Sequence, residues 1–356
     1  MRNKRLNYGW LFSCFFLLLQ CKGEEEDSTT SVTPSPQEIT TFSNPLLSSG
    51  PDPWVYQKDS YYYYTHTIGN KIGLIRTQDI SQIGKEAFTT VWTPPATGAY
   101  SQDIWAPELH YLDGKWYIYF AADDGNDANH RLYVLENSST NPLAGTWTFK
   151  GEISDTSDRW AIDGSVFEYN NQRYFIWSGW NGTNDSGNQK IYIARMSDPW
   201  TLVGERIMIS QPDYSWEMNG GQVNEGPEVI KNSQGRVFLT YSASGCWTDD
   251  YALGLLTLKE GGDPLIAADW NKSAAPVFFT KATSKAYGPG HNAFFKSPDG
   301  TEDWIIYHAN ATSGAGCGAT RSPRMQKFTW NADGTPNFGE PVEINTNITR
   351  PSGEVD

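Results

Sequence analysis

Cysteine is scarce in this chain of 356 residues: there are four, and none are spaced as zinc or iron–sulfur ligands. Basic residues are few as well, 27 Lys and Arg against 41 Asp and Glu, for a formal net charge of −14. Beyond Arg2, Lys4 and Arg5 they form no cluster, which excludes a phosphate-reading surface and with it a nucleic-acid partner. Apolar runs are short, and the one from Trp10 to Cys21 falls below the ~20 residues a membrane-spanning helix needs. No stretch keeps the period of a long helix, no serine sits in a nucleophile elbow, and no segment has the spacing of a calcium loop.

Aromatic residues, by contrast, are abundant. They make up 14% of the chain, with 15 Trp and 19 Tyr, beside 33 Gly and 20 Pro. That mixture suits many short strands joined by tight turns.

Five segments share one plan: "PDPWVYQKDSYYYYTHT" from Pro51, "APELHYLDGKWYIYFAA" from Ala106, "AIDGSVFEYNNQRYFIWSG" from Ala161, "NEGPEVIKNSQGRVFLTYSAS" from Asn224 and "GPGHNAFFKSPDGTEDWIIYHAN" from Gly288. Each opens with Gly or Pro beside an acidic residue or His. A few apolar residues, a polar turn and an aromatic, β-branched strand follow, the pattern of a β-hairpin. Further strand patterns come after each hairpin: "KIGLIRT", "HRLYVLEN", "KIYIARM", "YALGLLTL" and "RMQKFTW". Repeated antiparallel units of this size predict an all-β fold, a single five-bladed β-propeller over residues 45–351. A β-sandwich is the alternative, but it does not account for the repeated openings.

Residues just before the innermost strands of a propeller converge on one face. The expectation is that Asp52, Glu108, Asp163, Glu225 and His291 share one funnel, with Pro and Gly fixing the backbone around them. Several carboxylates in one cleft suit glycosidic bond cleavage: one acid protonates the leaving oxygen, one base activates water, and a third group tunes the acid. Trp105, Trp180 and Trp247 lie in or beside loops where they could stack on sugar faces, the first two being the stronger candidates. Glu108 is read as a group on the substrate side or behind it, and Glu228 as a structural partner.

"PDPWV", "WAPE", "IDGSVF", "NEGPEV" and "GPGHN", in that order and spacing, resemble glycoside hydrolase family 43 over essentially the whole chain after residue 44. The resemblance implies a five-bladed propeller that inverts the anomeric centre, with Asp52 as general base, Asp163 as pKa modulator and Glu225 as general acid. It also implies a basic residue near the base, assigned to Arg324, and a place for His291 beside a central ion or water. No cofactor is then required for the chemistry, and a structural Ca²⁺ at His291 is the one metal considered. Two positions depart from the pattern: Gly164 stands where many members carry proline, and Asn292 follows His291 where many have glycine.

The expected activity is release of a terminal pentose, foremost α-L-arabinofuranose, from an arabinose- or xylose-containing glycan. β-Xylosidase and arabinanase activity, or a non-catalytic sugar-binding propeller, are the alternatives. A monomer is expected.

The N-terminus reads as a targeting segment. Three basic residues, a short apolar run and Cys21 resemble a bacterial lipoprotein signal over residues 1–20, with Cys21 acylated. The acidic, Ser/Thr/Pro-rich residues 21–44 read as a tether. The chain is thus expected to be exported and held at the cell surface or in the periplasm by a lipid anchor alone. An exported protein can form disulfides, and Cys246 and Cys317, both in glycine-flanked loops, are candidates for a pair. Two separate thiols are the alternative.

Overall fold

The computed structural model describes residues 40–354 apart from Gly187. Cys21 and the expected signal and tether residues 1–39 lie outside the described residues.

Five four-stranded antiparallel sheets follow one another along the chain, each with its strands in sequence order. Their first strands are Trp54–Lys58, Gln102–Leu112, Ala161–Tyr169, Asn224–Lys231 and Tyr287–Lys296, for blades 1 to 5. Each of these packs against its counterpart in the next blade, and the fifth packs against the first, which closes a five-bladed propeller. The third strands, Ile72–Thr77, Arg131–Asn137, Lys190–Asp198, Ala252–Leu258 and Ser322–Trp330, contain or overlap the second set of patterns read from the sequence. Among the described residues no helix is long and apolar enough to cross a membrane.

Between the blades lie the aromatic and β-branched residues that the alternation predicts. Tyr62, Trp116, Trp304 and Phe120 sit with Leu74 and Ile118 in one buried cluster, and Phe175, Trp177 and Tyr119 lie in the next. Burying aromatic surface of about 150–250 Å² per side chain is the main driving force for stacking the blades.

The fold starts earlier than the expected residue 45. Thr41–Phe42 pairs antiparallel with Ile348–Thr349. The Asn44 amide then grips the blade 5 strand, donating to Met325 O (2.9 Å) and accepting from Met325 N (3.0 Å). Leu46 N and Gly50 N donate to Pro323 O and Arg321 O. Two-residue strands carry no periodicity, so this seam between the last and first blades was not legible as a hairpin.

Candidate active site

The backbone at the start of each first strand turns through positive φ, at Asp52 (55°), Ala106 (42°), Asp163 (55°), Gly226 (53°) and His291 (47°). L-residues rarely adopt this region, and non-glycine residues held there mark functional constraint. These five positions are the true register of the repeat. In blades 2 to 5 the first hairpin carries a bulge at or just after the turn, which re-aims the side chains.

That register places the acidic residues on two levels. At the turn, or one residue before it, Asp52, Trp105, Ile162, Asp163, Glu225 and His291 line one cavity of about 360 Å³. Trp160, Trp180, Trp247 and Arg321 also line it. Two residues past the turn the side chains leave this cavity, and Trp54 and Glu228 line another. Glu108 stands at this position and does not line the first cavity, contrary to the expectation of a shared funnel. It accepts from or donates to His110 Nε2 (3.0 Å) according to the imidazole tautomer. Its counterparts Ser165 and Glu228 are bonded to each other, Ser165 Oγ donating to Glu228 Oε2 at 3.2 Å. Burial, and then the charge of Glu228, pushes Glu108 well above the usual carboxylate range. In the sequence Glu108 looks equivalent to Asp52, since each follows a proline; the turn falls at Ala106 instead.

Asp52 sits at the centre of a network of cationic and hydroxyl groups. Arg321 Nη1 donates to Oδ1 at 2.8 Å and Thr67 Oγ1 to Oδ2 at 2.7 Å. Its own amide donates to His308 Nδ1 at 3.0 Å, and His291 Nδ1 lies 3.5 Å from Oδ1. Burial by itself would raise this carboxyl, but Arg321 foremost, with the imidazoles and Thr67, holds it well below the usual range. His291 and His308 are themselves pushed down by burial, so the guanidinium carries most of the charge stabilisation.

Glu225 is the opposite case. Burial raises it, the Tyr251 hydroxyl that donates to Oε1 at 2.7 Å opposes this, and the negative charge of Asp52 raises it again, to about 7. Asp163 is fixed by the Gly226 amide, which donates to Oδ2 at 2.9 Å. Since Gly226 follows Glu225 directly, this bond ties the Asp163 carboxylate to the backbone that carries Glu225. Burial and then the charges of Glu225 and Asp52 raise Asp163 too.

Arg324, the basic residue assigned from the sequence, is elsewhere. It is fully buried inside the blade 5 strand, with Nη2 3.4 Å from Ala309 O. Arg321, three residues earlier and just outside that strand, reaches the carboxylate. "RSPR" offers both; only the strand boundary separates the one that points into the funnel. Thr67, His308 and Tyr251 have no distinctive sequence signature, being a hydroxyl or imidazole in or beside an aromatic strand. Trp105 and Trp180 do reach the cavity. Trp105 stacks on the buried His130 (4.0 Å, 26°) and Trp180 on Trp160 (4.9 Å, 11°), which fixes the wall made by blades 2 and 3.

Cys246 and Cys317, in loops after the second strands of blades 4 and 5, are joined by a disulfide on the cavity rim. The departures from the family pattern have local partners. A Cβ on Gly164 would come 2.4 Å from Phe175, and Asn292 Oδ1 accepts from Thr240 Oγ1 at 3.0 Å.

Calcium takes six to eight oxygen ligands. Around His291 the structure offers an imidazole nitrogen and a carboxylate already neutralised by Arg321, and among the described residues no three His, Cys, Asp or Glu side chains are grouped to hold a metal. That donor set does not fit a calcium cage, and no step of the chemistry is derived through one.

Two carboxyls shifted in opposite directions line one cavity on a five-bladed ring, and residues 42–336 match the sequence profile of Glycosyl hydrolases family 43. The chain belongs to that family. This family 43 glycoside hydrolase is 43% identical over 335 residues to the extracellular exo-α-(1→5)-L-arabinofuranosidase of Streptomyces avermitilis, an alignment that covers 92% of this chain and 68% of that protein. It is 39% identical to α-L-arabinofuranosidase 43 of Humicola insolens, covering 88% of this chain and 66% of the relative. The chain thus spans about two thirds of the length of these relatives. Among solved structures, the α-L-arabinofuranosidase of Lactobacillus brevis superposes with a TM-score of 0.81 at 40% identity, over 86% of this chain and 98% of that one.

Proposed function

We propose that this family 43 enzyme removes a terminal α-L-arabinofuranosyl residue from an arabinose-containing glycan by a single inverting displacement. The observation that carries the proposal is the pair of opposed carboxyls: Asp52 held ionised by Arg321, Glu225 held protonated up to about 7. An inverting glycosidase requires this division of labour. Asp52 takes a proton from water as the water oxygen bonds to the anomeric carbon. The bond from that carbon to the leaving oxygen breaks, and Glu225 gives its proton to the leaving oxygen. Asp163 positions the acid by accepting from the amide of Gly226, the residue that follows Glu225.

The arabinofuranosyl preference rests on the named activities of the relatives from Streptomyces, Humicola and Lactobacillus. A cavity of about 360 Å³ with a tryptophan wall suits an uncharged sugar. The test is the anomer first released, read by proton NMR before mutarotation: inversion is expected. A product that keeps the substrate's configuration would mean a nucleophilic carboxylate and would overturn the assignment.

We also read the chain as exported and held to a membrane through an acylated Cys21, the reading supported by the basic residues and apolar run that precede it. Stable anchoring takes more than one acyl chain. Mass spectrometry of the mature N-terminus tests this, and an unmodified chain cleaved elsewhere would refute it.

A further inference from the structure

Trp247 is the most conspicuous aromatic residue that the proposed chemistry leaves unused. It lines the catalytic cavity yet keeps 50% of its surface exposed. Three glycines lie against the indole. A Cβ on Gly245 would stand 2.4 Å from the ring, on Gly220 2.7 Å and on Gly221 3.3 Å. Any other residue at Gly245 or Gly220 would lift the indole off its seat, so the bare backbone sets the height of the ring.

The seat is also rigid. Gly245 N donates to Asn219 O at 2.8 Å, and Thr248 N donates back to Gly245 O at 2.9 Å. Cys246, next to the tryptophan, is bonded to Cys317 of blade 5. Asp249 accepts from Gly314 N (2.9 Å) and from Ser313 Oγ, also of blade 5. An exposed ring held this firmly is pre-organised to stack on a flat apolar surface, because little side-chain freedom is left to lose on binding.

Its position relative to the acid tells what it stacks on. Glu225 belongs to the first strand of blade 4, and Tyr251, which bonds it, ends the same loop that carries Trp247. Asp52 is across the seam in blade 1. In an inverting displacement the acid stands on the side of the leaving group and the base on the opposite face of the reacting sugar. A platform on the acid's side therefore meets the leaving group, not the terminal pentose.

We infer that Trp247 forms the subsite for the sugar unit that follows the scissile bond, stacking on its C–H face, so that this enzyme favours glycan substrates over glycosides with small leaving groups. The inference rests on the roles proposed above for Glu225 and Asp52. The chemistry it selects is an uncharged sugar ring, since among the described residues the one guanidinium lining the cavity, that of Arg321, is engaged with Asp52.

The test compares two substrates on the full chain: an α-1,5-linked arabinotriose, which fills the subsite, and α-L-arabinofuranosyl fluoride, which has no leaving sugar. Aryl glycosides are unsuitable because the aryl ring can itself stack. In Trp247→Ala the ratio of kcat/KM for arabinotriose to that for the fluoride is expected to fall about three- to tenfold, the size of one lost stacking contact. In Trp247→Phe most of the ratio should be kept. An unchanged ratio in Trp247→Ala, whether both rates fall together or neither moves, overturns the subsite while leaving the proposed hydrolysis intact. Failure of the unaltered enzyme to hydrolyse either substrate overturns both.

Discussion

Tyr251→Phe is the most direct probe of the proposed acid. The hydroxyl donates to Glu225 Oε1 at 2.7 Å, and the ring is buried and stacked on His308 (5.7 Å, 11°). Phenylalanine keeps the ring and removes one donor. A hydrogen bond to a carboxylate favours the ionised form, so losing it must raise the pKa of Glu225. Such bonds are worth about 1.5–3 kcal/mol, and one pKa unit is about 1.36 kcal/mol. The bond is weaker but not absent in the protonated state, which leaves a shift of roughly one unit above the starting value of about 7. The general acid must be protonated to act, so its pKa sets the alkaline limb of the profile of kcat/KM against pH. That limb should move up by about one unit in the variant, while the acidic limb proposed for Asp52, a carboxyl held well below the usual range, lies below the interval measured. The measurement is initial rates on arabinotriose across pH 4–10 for both proteins. An alkaline limb that stays fixed or moves down would mean that Glu225 is not the proton donor.

Arg321→Met should move the acidic limb upward and lower kcat, since Asp52 loses its counter-ion; Arg324→Met, buried away from the cavity, should leave both limbs in place. Glu225→Gln should abolish turnover of arabinotriose but spare much of the hydrolysis of the fluoride, which needs no protonation by the acid; equal losses on both would argue against the role. Glu108→Gln should change stability rather than rate. The folded-state pKa of Glu108 is raised, so its contribution is full below the unfolded value near 4.5 and is lost as pH rises towards the folded one. The thermal midpoint of the unaltered enzyme should therefore fall as pH rises above about 4.5, and that of the variant should fall less. Replacing Cys246 and Cys317 by Ser opens a loop of 71 residues, with a loss of about 4 kcal/mol in the chain-entropy account, visible as a lower midpoint by calorimetry.

The propeller was legible because its determinants are local. Hairpin turns such as "LDGK" and "SPDG" and alternating strands such as "WYIYF" repeat five times, and each is a short-range signal. The carboxylates Asp52, Asp163 and Glu225 were legible because they stand beside the Pro and Gly residues that mark each opening. What failed depended on exact backbone register. Glu108 and Asp52 look equivalent by their neighbours, but the positive φ falls at Ala106, and Glu108 meets His110 rather than the cavity. Arg321 and Arg324 differ by three residues, and only the onset of the strand Ser322–Trp330 decides which one is free to reach Asp52. Tyr251 and His308 gain their roles from contacts 26 and 256 residues away in sequence, which no local pattern encodes.

The seam that joins the last blade to the first has a consequence for when the enzyme becomes active during its synthesis. Asp52 emerges from the ribosome in the first blade, and Arg321, which holds it ionised, in the last. A chain that lacks its final blade would carry Glu225, Asp163 and the tryptophan wall, yet Asp52 would have no counter-ion and the funnel a missing side. On the proposed roles, catalytic competence is gained on docking of blade 5 against blade 1, and the appearance of activity in a refolding or translation experiment would report ring closure.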